Sequence, residues 1–185
     1  MGVLLDTIGS LVIGSAFLLV MLKALFTLTS SAHNINMEYS LQHFSEEVIT
    51  IIDSLYLEKA GTGVPASSDI VLNATSRNFR FRGKMNGDLS PIDTVEIIQT
   101  MANQDTVDRY GYPLRIYRNG TLEAGPFWLA DTLEITYFDQ NNDTTFSAGS
   151  VFSLSMEFTL TYDHYSTEHG HYNQIHIPIL SLIHI

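Results

Sequence analysis

The sequence predicts an α+β chain: a long N-terminal apolar α-helix, acting as a stalk, followed by a mainly antiparallel β-sheet domain. Three observations predict it. From Val3 to Leu28 the chain is apolar, interrupted in charge only by Asp6 and Lys23. Residues 37–59 then keep apolar positions at helical spacing. The remainder alternates apolar and polar residues with period two between turn signals. These features divide the chain into a hydrophobic and amphipathic helix, 1–59, and a β-rich globular domain, 62–185.

The apolar run would span roughly 39 Å as a helix, enough to cross a bilayer core of about 30 Å. A cleaved signal peptide fits poorly, because no Lys or Arg precedes Lys23. A single-span anchor and a helix packing against other helices both fit. Ser10 and Gly14 stand four apart, with Gly9 and Ser15 beside them. Small residues at that spacing let helix backbones approach closely. Asp6 is costly inside an apolar segment. It either lies at headgroup level, where it also favours the helix N-terminus, or pairs with another group.

The second helical stretch places Leu41, Phe44, Val48, Ile51, Ile52 and Leu55 on one face. Gly61, Gly63 and Pro65 supply its stop. Thr27–Asn36 is polar and rich in poor helix formers, so a break is expected there. Strands are expected around Ile70–Leu72, Phe79–Phe81, Leu114–Ile116, Leu133–Tyr137, 151–162 and 172–185. The 151–162 strand is expected to be central, and Pro178 marks an edge. Asn119-Gly120 reads as a hairpin turn. Pro91 reads as the start of a short helix over 91–101.

Composition excludes several functions. The chain has 185 residues, 20 acids against 9 bases, and a net charge of −11. Nucleic-acid binding needs clustered Lys and Arg, so it is not expected. There is no cysteine, which removes disulfides, thiolate metal sites and thiol catalysis. His164, His169 and His171 lie close in sequence beside Asp163 and Glu168. They are weak candidates for zinc or copper, lacking a fixed-spacing signature, and a solvated loop is expected. Asp139, Asn141 and Asp143 share the spacing that opens a calcium loop but lack its glycine and distal glutamate, so a plain turn is expected. No phosphate-binding loop, nucleophile elbow or paired catalytic carboxylate stands out. No cofactor and no enzymatic activity are expected. Sequons at Asn73, Asn119 and Asn142 permit Asn-linked glycans.

The layout resembles the type IV pilin and minor pseudopilin superfamily, with archaeal pilins and archaellins as a near alternative. The start GVLLDTIGSLVIG is similar to the pilin start, with Asp6 in place of the usual glutamate after Leu4 and Leu5. IIDSLYLEKAGTG is similar to the close of the family's long helix, and Phe79–Tyr137 resembles its β-domain. The family's leader is basic and ends in glycine. The residues MGVLL before Asp6 hold no base, and a mature start at Gly2 would make Asp6 the fifth residue.

The resemblance implies a pilin-like fold and a structural subunit of an extracellular helical filament at the cell surface. The subunit would sit in the cytoplasmic membrane before assembly. It would then form a homo-oligomer through bundled N-terminal helices, with the β-domain on the filament surface. Asp6, Gly9, Ser10 and Gly14 are the implied assembly residues, and Asp6 would pair with a neighbour's terminal amine. Two rival readings are a monomeric membrane-anchored β-domain that binds a partner, and a metal-binding enzyme or sensor using the His164–His171 loop.

Overall fold

A computed structural model of the chain describes residues 2–87, 89–100, 112–162 and 173–182. The α+β arrangement holds: one long apolar helix near the N-terminus precedes an antiparallel sheet. Helix α1 covers Gly2–Thr50. By packing, the chain forms two units, Met1–Ser40 and Leu41–Ile185. The boundary between secondary-structure classes expected at 59–62 therefore falls later than the packing boundary, because Val48, Ile52, Tyr56, Leu57 and Ala60 share the core of the strands.

In the first unit no described side chain is buried. The break expected over Thr27–Asn36 is absent. The Thr27 and Thr29 hydroxyls donate to the Lys23 and Leu25 carbonyls, each at 2.9 Å. Hydroxyls spent on the helix's own carbonyls no longer offer the backbone another conformation.

In the second unit the helix first turns its Leu41–Val48 face inward and then changes pitch. Ile51–Tyr56 is a π-helical turn and Leu57–Lys59 a 3-10 turn. The wider turn shifts the phase of the apolar face. Ile52, Tyr56, Leu57 and Ala60 are buried, while Leu55, expected on that face, is 52% exposed. Gly61 takes a φ of 81° and its N–H bonds the Arg82 carbonyl at 2.8 Å, ending the helix against the sheet.

The strands are β1 (Val71–Thr75), β2 (Asn78–Gly83), β3 (Asp93–Gln99), β4 (Tyr112–Arg118), β5 (Thr121–Leu129), β6 (Glu134–Phe138), β7 (Ser153–Tyr162) and β8 (Asn173–Leu182). β1 to β5 form an antiparallel meander in which Phe79 faces Ile97 and Ile97 faces Ile116. The helix expected over 91–101 is strand β3 instead, within the described residues. Its side chains alternate, burying Asp93, Val95, Ile97 and Gln99 between two neighbours. Buried Gln99 is satisfied: its Oε1 accepts the Leu133 N–H at 3.1 Å.

β7 is central, as expected. β8 pairs along its full length, from Ser153–Leu182 to Tyr162–Asn173. The opposite edge is shared by β6 and, at Leu160–Leu129, by β5. Pro178 lies on β8, which among the described residues pairs with β7 alone. β6 returns to the β1–β2 turn, where Tyr137 donates its hydroxyl to the Thr75 carbonyl at 2.8 Å. The Tyr137 ring lies 5.6 Å from that of Phe79, so the two ends of the sheet enclose one core.

Candidate functional site

Apolar residues cover every side of the N-terminal helix. Leu11, Val12 and Ile13 are all exposed, as are Phe17 through Leu22. A helix apolar all round belongs in lipid or inside a bundle. By length and composition it is long and apolar enough to cross a membrane. Asp6, Gly9, Ser10 and Gly14 fall within roughly 140° of one another around the helix axis. The structure thus brings the four residues singled out from sequence to one side. A Cβ added at Gly9 or at Gly14 would meet nothing within 4 Å, which leaves room for a second backbone. Ser10 is tied inward, its hydroxyl donating to the Asp6 carbonyl. The Asp6 carboxylate is exposed.

A second polar constellation was not legible in sequence. Asp93 is buried at the start of β3. Its Oδ2 accepts from Arg118 Nη2 at 2.7 Å, and its Oδ1 accepts from Asn119 Nδ2 at 2.7 Å. Arg118 also donates to Glu123 Oε1 at 3.1 Å, and the Tyr56 hydroxyl donates to Glu123 Oε2 at 3.3 Å. Burial alone would raise the Asp93 carboxyl. The Arg118 and Asn119 hydrogen bonds outweigh it and hold Asp93 below the usual carboxylate range. The hydrogen bond to Asp93 pushes the Arg118 guanidinium up, and burial followed by Glu123 pushes the Tyr56 phenol up. The cleft here measures about 270 Å³. Its charges are spent on one another. The arrangement braces the helix end, β3 and the β4–β5 hairpin.

The three sequons sit in different settings. Asn119 has a φ of 51° in the hairpin turn, and both ends of its amide are occupied, by Asp93 and by the Thr94 N–H. Asn73 is half-buried at a bulge in β1. Asn142 is exposed with a φ of 64°. In that loop Asp139 Oδ1 accepts the Asn141 and Asp143 N–H groups at 2.8 and 3.0 Å, which makes it a hydrogen-bonded turn. The histidine loop with His164, His169 and His171 lies outside the described residues. Among the described residues no three His, Asp or Glu side chains converge.

No protein-family model, curated protein or solved structure matches the chain.

Proposed function

We propose that the chain is a structural subunit of a helical, type IV pilus-like filament at the cell surface, acting by assembly rather than catalysis. One observation carries this reading: a helix with apolar side chains on all sides, none of the described ones buried within its own unit. Such a surface is stable in lipid before assembly and against copies of itself afterwards. Moving from lipid into a helix bundle adds little hydrophobic driving force, so close packing at Gly9, Ser10 and Gly14 and the placement of Asp6 must supply specificity. The β-unit supplies the filament's surface chemistry, and its net acidity keeps nucleic acid away. In this role the protein needs no cofactor.

The second reading is a monomeric anchor carrying a β-domain that binds a partner. The length and composition of the single apolar helix favour it equally. Chemical cross-linking of the protein in its native membrane separates the two. Ladders of this chain alone support the filament subunit. A monomer, with no cross-link to itself, supports the anchor.

A further inference from the structure

Two charges interrupt the apolar helix, and they have opposite signs. Asp6 and Lys23 are both exposed, and among the described residues neither has an ion-pair partner. They stand roughly 25 Å apart along the axis, at 1.5 Å per residue, and about 100° apart around it. That separation exceeds the reach of both side chains together, so neither can neutralise the other within one helix. In a membrane this is tolerable. The charge-free stretch Thr7–Leu22 nearly matches a hydrocarbon core of about 30 Å, so each charge can reach its own headgroup layer. Inside a dry helix bundle no headgroup remains, and an unpaired charge must find a counter-charge.

We infer that Asp6 of one copy pairs with Lys23 of the next, in place of the terminal amine that the resemblance implies, across parallel helices staggered by roughly 25 Å. This deepens the filament reading and rests on it. The geometry suits an open assembly. Each helix offers its acid on one face and its base on another, so every copy makes one contact forward and one back. A head-to-tail contact that does not close generates a helical filament. Copies inserted in the membrane with the same orientation are parallel, and the pair then fixes one axial offset between them, which an all-round apolar surface cannot do alone.

The chain contains no cysteine, which makes the contact directly testable. An Asp6→Cys/Lys23→Cys double variant of the full chain is assembled and oxidised, and then run on a non-reducing gel. A disulfide needs Cα atoms within about 7 Å, so no bond can form inside one helix. The inference expects a reducible ladder extending beyond the dimer, and monomer alone from either single variant. Monomer from the double variant, both after oxidation and after treatment with a bifunctional maleimide that spans the longer separation an Asp–Lys pair allows, in samples that show filaments by microscopy, overturns it. Charge exchange is the second arm. Asp6→Lys and Lys23→Asp should each lose filaments, and the double exchange should restore them. Full assembly by Lys23→Asp places the Asp6 partner elsewhere, at the terminal amine, and overturns the pairing while leaving the filament reading intact. A wild-type chain that never forms filaments overturns both.

Discussion

Arg118 on β4 and Asp93 on β3 form the tightest ion pair among the described residues, with Nη2 2.7 Å from Oδ2. The Asp93 side chain is 4% exposed, so the charge is shielded from water and depends on its partners. Arg118→Ala should cost about 3 kcal/mol in urea unfolding, because it leaves a buried carboxylate without its cation. Asp93 also predicts the acid side of the stability profile. Its folded-state pKa lies below its ordinary value of 3.8, so its stabilisation is complete above that pH. It is lost as pH falls through the depressed value. Urea midpoints measured down the acid range should fall more steeply for wild type than for Asp93→Asn. Parallel curves would contradict this.

Tyr137 ties β6 to the β1–β2 turn through its hydroxyl and to the core through its ring. Tyr137→Phe should cost about 1 kcal/mol, the usual worth of one such hydrogen bond. Burial raises the phenol above its ordinary 10.0. The folded state therefore holds that proton more tightly than the unfolded chain does. Its contribution is full below the ordinary pKa and is lost as pH rises through the raised one. As pH rises above the ordinary 10.0 the wild type should lose more stability than Tyr137→Phe. Equal losses would show that the phenol is not shielded.

Gly83 is where the end of the helical segment meets β2. A Cβ there would stand 2.1 Å from the Lys59 carbonyl oxygen, closer than atoms allow. Relief requires a backbone shift at a junction that also holds Tyr56, Leu57 and Ala60 in the core. Gly83→Ala should lower stability by about 2 kcal/mol or more, measured by thermal or urea unfolding. A neutral effect would mean that the helix end does not dock as described.

Among the described residues none up to Ser40 is buried, and the first buried side chain is Leu41. A chain lacking 1–40 should fold cooperatively, stay monomeric in sedimentation, and give a circular dichroism spectrum dominated by sheet. A molten or helix-dominated spectrum would contradict the division at Ser40.

The apolar helix, the stop at Gly61 and the strong alternation of β7 were legible because each rests on local pattern. What sequence missed rests on tertiary pairing. Pro91 read as a helix start, and Ile98 beside Ile97 blurred the alternation. The outcome was settled by β2 and β4, which bury Val95 and Ile97 from both sides. Leu55 was placed on the buried face by a constant helical period, and the π-turn at Ile51–Tyr56 broke that period. The polar stretch after Thr27 stayed helical because its hydroxyls bond within the helix. The Asp93–Arg118 pair is invisible to spacing. It exists because Val95 pairs with Arg118 across β3 and β4, which brings the ends of two strands together. Ser10 and Gly14 were legible as a pair of small residues four apart, and the continuous helix places Asp6 and Gly9 on the same side.

The central claim is that the apolar helix exists to bind copies of itself. Electron microscopy of the full-length chain, isolated from membranes and freed of detergent, tests it most directly. The account predicts helical filaments from wild type, fewer from Asp6→Ala than from Asp6→Glu, and none from a chain lacking 1–28. Dispersed single particles from wild type, with the β-unit folded by circular dichroism, would contradict it.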